Sequence, residues 1–153
     1  AETLTRVLET FPARFQEKLP DAVFRGLAIM PGELAPDMAL IGALEQALAR
    51  QGVGIDRFFF DWRGGALRGD TPAAGAYDKE EFAEFRRLVG DRRAAPGALG
   101  HDYWSDAEPC AMLIDEVEAI WARIDEADDW SLLHAKIAAV RRMGEAMRIG
   151  AQE

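Results

Sequence analysis

The side chains of this chain that can do chemistry are few, and their spacing does not assemble a known reaction centre. Nucleophilic catalysis needs a hydroxyl or thiol within hydrogen-bond reach of a base. The candidates are Ser105, Ser131 and Cys110, with His101 and His134 as the only imidazoles. Ser105 stands four positions from His101, a spacing that guarantees no contact in a loop, and Ser131 reads as a helix cap. Cys110 is placed on the apolar face at the start of a helix, where the helix terminus would lower its pKa and burial would raise it. Acids gather at Asp106, Glu108, Asp115, Glu116, Glu118, Asp125, Glu126, Asp128 and Asp129. They lack the spacing of a calcium loop and have no Glu-x-x-His partner for a di-metal bundle, so they read as a solvated face. His134 has no second imidazole one turn away. Neither a phosphate-cradling P-loop nor a dinucleotide fingerprint is present, and Gly52-Val53-Gly54 is too short to be one. No catalytic residue and no metal ligand is assigned.

Two patches remain. In Phe58-Phe59-Phe60-Asp61-Trp62-Arg63-Gly64-Gly65, four aromatics exceed what one helix face buries, so some must meet another helix, another domain or a ligand. In His101-Asp102-Tyr103-Trp104, aromatic and titratable residues share a long connection that can fold over a partner or over the protein itself. Phe58, Phe59, Asp61, Trp62, Arg63, His101, Tyr103 and Trp104 therefore form the candidate interaction surface, with core packing the open alternative.

The elements that must position these patches are helical. Leu4, Val7, Leu8, Phe11 and Phe15 recur at three- and four-residue spacings, predicting an amphipathic helix that Pro12 kinks or restarts and that ends at Lys18-Leu19-Pro20. A second short helix is predicted over 21–30, carrying Val23, Phe24, Leu27 and Ile29 and closed by Pro31-Gly32. Pro36-Asp37 opens the next, with Met38, Leu40, Ile41, Leu44, Ala47 and Leu48 on one face and Gly52 as its stop. The aromatic run at 55–62 is short and ends at Gly64-Gly65, with a strand as its lesser alternative.

Asp78 is the expected cap of a helix with Glu81 at its third position, Phe82, Phe85, Leu88 and Val89 inward, and Gly90 after its end. The connection 91–108 is longer than most structural loops. Pro109 is expected to open a helix burying Cys110, Leu113, Ile114, Val117, Ile120, Trp121 and Ile124. Ser131 is expected to cap the last helix, with Leu133, Ile137, Val140, Met143 and Met147 inward and Arg141, Arg142 and Arg148 near its end. The expected fold is all-α: an irregular array of six to seven helices in one domain over 1–153, ending in an antiparallel helical hairpin.

Composition bounds the partners. The 153 residues are 49% hydrophobic, enough for a substantial core, and contain no apolar run long enough to span a bilayer. Eighteen Lys and Arg against 27 Asp and Glu give a formal charge of −9, which disfavours nucleic acid and anionic membrane as partners. A single cysteine excludes an internal disulfide and fits a reducing, cytoplasmic setting. The chain starts at Ala1-Glu2-Thr3-Leu4, with no secretory signal pattern and no initiator Met.

The run Leu48 to Gly65, ending Asp56-Arg57-Phe58-Phe59-Phe60-Asp61-Trp62-Arg63-Gly64-Gly65, resembles the C-terminal helical part of the selenoprotein O (SelO/YdiU) family. The stretch Glu108-Pro109-Cys110-Ala111-Met112-Leu113-Ile114-Asp115-Glu116-Val117-Glu118-Ala119-Ile120-Trp121 is similar to a segment of some divergent bacterial members, and the two occur in the same order. The resemblance implies a protein adenylyltransferase with a pseudokinase fold, which transfers AMP from ATP to protein hydroxyls with a divalent metal. It also implies that the nucleotide and metal belong to a kinase-like core preceding the region this chain resembles. None of that core's motifs occurs here, so no catalytic residue carries over, and no cofactor is expected in this chain. The family's redox-active cysteine or selenocysteine near the C-terminus has no counterpart in Arg148-Ile149-Gly150-Ala151-Gln152-Glu153. The implied role is that of a helical accessory domain, the C-terminal part of a longer protein, whose partner is the kinase-like domain of the same or another protein. The alternative is a freestanding helical protein-interaction module.

Overall fold

The computed structural model describes residues 2–148, with side chains from Val7 onward, so Leu4 of the predicted apolar face and the tail 149–153 lie outside the described residues. Seven α-helices follow one another: α1 (Glu2–Leu27), α2 (Leu34–Gln51), α3 (Ile55–Asp61), α4 (Ala74–Tyr77), α5 (Ala83–Gly90), α6 (Ile114–Ala127) and α7 (Ser131–Arg148). Two 3-10 turns, Glu80–Phe82 and Asp102–Ser105, complete the described elements. The only β pairing among the described residues is the isolated bridge Ile29–Ala94, so the all-α class is correct.

The predicted break at Lys18-Leu19-Pro20 does not occur. α1 runs through both Pro12 and Pro20 as one 26-residue helix. Each proline forfeits a backbone donor, but Val23, Phe24 and Leu27 beyond Pro20 are buried in the core, and that burial holds the second half in helical register. The helix ends where Ala28 turns left-handed at φ 49°, and Ile29 leaves it for the bridge. α2 stops as its sequence dictates, at Gly52 with φ 64°, whose N–H donates to the Leu48 carbonyl at 3.3 Å.

Aromatic rings fill the main core. Phe58 of α3 is wholly buried, surrounded by Trp62, Tyr77, Phe82 and Phe85 and backed by Leu40, Ile41 and Leu44 of α2. Bringing both Tyr77 and Phe82 onto Phe58 requires two closely spaced turns. Asp78 accordingly ends α4 instead of capping the next helix, and a 3-10 turn delivers Phe82 before α5 begins. Arg86 donates to the carbonyls of Tyr77 and Lys79, satisfying groups that a single capped helix would have paired internally. Gly26 lets α1 and α3 approach closely, because a Cβ there would lie 2.6 Å from the Phe59 ring.

The helix predicted to open at Pro109 starts only at Ile114. Residues 109–113 form a strap outside any helix, tied down from a distance: the Cys110 N–H donates to the Tyr103 hydroxyl at 2.9 Å, and Lys136 of α7 donates to the Ala111 carbonyl at 2.7 Å. Of the side chains expected inward on α6, only Ile120 is buried. Ser131 is the first residue of α7 rather than its cap.

The Asp129 carboxylate takes the capping role, accepting the Ser131 N–H at 2.9 Å and pairing with Arg123. Hydrogen bonds from Ser131, with Arg123 alongside, hold its pKa down at about 2, against the usual 3.8. A depressed carboxylate stabilises the folded form above its unfolded pKa, and that contribution is lost as pH falls through the folded value. The Ser131 amide resonance is therefore expected to titrate near pH 2 and to lose that titration in Asp129→Asn. A midpoint at the ordinary carboxylate value would refute the cap.

Candidate functional site

Most of the predicted interaction surface is interior. Phe58, Asp61, Trp62, Arg63, Tyr103 and Trp104 are buried, and only Phe59 and His101 are partly exposed. The reason is polar as well as apolar. Asp61, 1% exposed, accepts from Arg57 Nη1 at 3.2 Å, from the Thr71 hydroxyl at 2.5 Å and from the Tyr77 hydroxyl at 3.0 Å. Burial, with Asp61 beside it, pushes the Tyr77 phenol well above its ordinary pKa, so it stays protonated and donates. Arg63 donates to the carbonyls of Arg25 at 2.8 Å and Gly26 at 3.1 Å near the end of α1, and to Ala98 at 3.3 Å, with its guanidinium 4.5 Å from the Trp104 ring. Burial lowers its pKa to about 10, which leaves it cationic at neutral pH.

The structure brings the two patches together. Phe60 meets Tyr103 at a centroid distance of 5.4 Å and Trp104 at 5.8 Å, and these rings form a second core with Ala146 of α7. Arg142 of α7 ties the connection down through Asp106 and Asp102, and its hydrogen bond holds the Asp106 carboxyl below the ordinary range. His101 Nδ1 accepts the Tyr103 N–H at 3.1 Å, whereas the Ser105 hydroxyl donates to the Asp102 carbonyl at 2.6 Å. The two residues serve one turn separately and form no nucleophile pair. Cys110 is half-buried beside a small cavity of about 200 Å³, whose lining includes Phe59, Phe60 and Met143. Among the described residues, no group of three or more His, Cys, Asp and Glu side chains is arranged to hold a metal.

Exposure lies elsewhere. On α1, Val7, Leu8, Phe11 and Phe15 are 51–63% exposed, and on the strap and α6, Leu113, Ile114 and Trp121 are 65–68% exposed. Between α3, the strap, α6 and α7 opens a cleft of about 590 Å³, with Ile55, Pro109 and Leu113 as apolar walls and Asp56, Glu108, Asp115 and Glu116 as acids. Its two cations are engaged: Arg57 with Asp61 and Glu108, Lys136 with Glu116. Sequence reading missed this cleft. The four-residue spacing of Arg57 and Asp61 was its one legible signal; the rest depends on the strap not being helical.

No helix among the described residues is long and apolar enough to cross a membrane. No protein-family model, curated protein or solved structure matches the chain.

Proposed function

We propose that this chain is a helical accessory domain that docks on a separate catalytic unit, of the kind found in SelO-like protein adenylyltransferases, which transfer AMP from ATP to protein hydroxyls. The observation that carries this reading is the exposed apolar side of the strap and α6. Leu113, Ile114, Val117 and Trp121 are 41–68% exposed at positions whose helical spacing is that of a buried face. They fall within the second of the two segments that resemble the family, and the first, ending at Gly65, supplies Phe60 to the small core against which Cys110 of the second packs. That apolar side is one the described residues leave uncovered.

In this reading ATP and the divalent metal bind the catalytic unit. Titration of this chain with ATP–Mg in a calorimeter is expected to show no saturable binding, and micromolar affinity would overturn the assignment. The reading frame upstream of Ala1 is expected to encode a kinase-like region. Trp121→Gln is expected to leave stability within about 0.5 kcal/mol in urea denaturation, while weakening association with that region. A freestanding interaction module draws on the same exposed faces; an upstream frame without a kinase-like region would favour it.

A further inference from the structure

We propose that the cleft between α3, the strap and α6 takes a basic, apolar segment of a partner protein: a Lys or Arg side chain flanked by aliphatic ones. The proposal rests on the docking reading above and adds the chemistry of the contact. Two of the lining side chains are exposed and apolar, Ile55 at 63% and Leu113 at 67%, so an occupant that covers them gains by removing both from water.

Its charge selects the occupant. Arg57 and Lys136 are recessed, their side chains 13% and 10% exposed, and both are engaged with acids. Asp56 and Asp115 are exposed, and their carboxylates make no hydrogen bond or ion pair among the described residues. Four carboxylates against two cations leave the cleft net negative within a chain of formal charge −9. A phosphate-bearing ligand is repelled, and so is a second copy of the chain, while a bare cation leaves Ile55 and Leu113 uncovered. A segment presenting both cationic and aliphatic groups meets both requirements. The volume, about 590 Å³, is within the range of pockets that accept drug-sized groups.

The test is calorimetric titration of the full chain with an amidated amphipathic peptide of Leu and Lys, and with its Leu and Glu counterpart. The Lys peptide is expected to bind, more weakly as salt rises, and the Glu peptide is expected not to bind. D56K/D115K should weaken the Lys peptide about tenfold or more, and the milder D56N/D115N should weaken it by several-fold. L113N should weaken it without changing charge. E9K/E45K changes the net charge as much as D56K/D115K does and is expected to leave the affinity within about twofold, because both acids lie outside the cleft. Equal binding of the two peptides, equal loss in E9K/E45K and D56K/D115K, or light scattering showing a dimer that L113N dissociates would overturn the proposal. Failure here with Trp121-dependent docking intact sinks the cleft assignment alone. ATP–Mg binding by the chain sinks the accessory-domain reading whatever the peptide does.

Discussion

Replacing Asp61 with alanine is expected to destabilise the fold by about 3–5 kcal/mol, the cost of breaking a buried pair from one side. The carboxylate is 1% exposed and joins three elements, accepting from Arg57 within α3, from Thr71 in the following loop and from Tyr77 of α4. Its removal leaves the fully buried Tyr77 hydroxyl with no acceptor and releases Arg57, which also donates to the Ala107 carbonyl and pairs with Glu108. The effect should therefore reach the 91–108 connection, fifty residues along the chain. Asp61→Asn is expected to cost less, because an amide oxygen still accepts from both hydroxyls. Tyr77→Phe should cost about 1–2 kcal/mol, since Asp61 keeps two partners. Urea denaturation monitored by tryptophan fluorescence gives the ordering Asp61→Ala, Asp61→Asn, Tyr77→Phe, and a cost below about 1 kcal/mol for the first would contradict the hub.

Phe58→Ala is the second large effect, expected at about 3–5 kcal/mol from lost burial and the cavity left behind. The ring is fully buried, and its centroid lies 5.2–6.5 Å from those of Phe59, Trp62, Tyr77, Phe82 and Phe85. These neighbours come from α3, α4, the following turn and α5, so no single side-chain movement refills the space. Its sequence neighbour supplies the contrast. Phe59 is partly exposed and rests against Gly26 on the outside of the core, so Phe59→Ala should cost clearly less in the same assay. Near-equal costs would mean that the interior is not organised around Phe58.

The different fates of these adjacent phenylalanines show how far the sequence could be read. The periodicity of α2 and the stop at Gly52 were both legible because local rules decide them: one apolar face, and one residue that turns left-handed without strain. The density of aromatics at 58–62 was legible too, as was the need for some of them to meet other elements. Which rings face inward was not, because α3 is only seven residues long and buries Phe58 and Phe60, two positions apart, on different sides.

Where local signals failed, contacts distant in sequence prevailed. Pro109 at the head of an apolar-periodic run is a proper helix start, yet α6 begins only at Ile114, with the strap before it held by Tyr103 and Lys136. Pro20 is a proper helix stop, yet the burial of Val23, Phe24 and Leu27 carries α1 through it. The candidate residues lie inside through side-chain contacts instead: Arg57 pairs with buried Asp61, Arg63 lies over the Trp104 ring and Arg142 over the Tyr103 ring.

The sequence by itself determined that the chain is helical and acidic, because periodicity and charge are local or additive properties. The tertiary structure decided that the aromatic patches meet, that most apolar positions of α6 face outward, and that a cleft lined by four acids and by Ile55, Pro109 and Leu113 opens there. Those outcomes depend on which donors pair with which distant carbonyls and carboxylates once the helices pack, and spacing along the chain does not encode that.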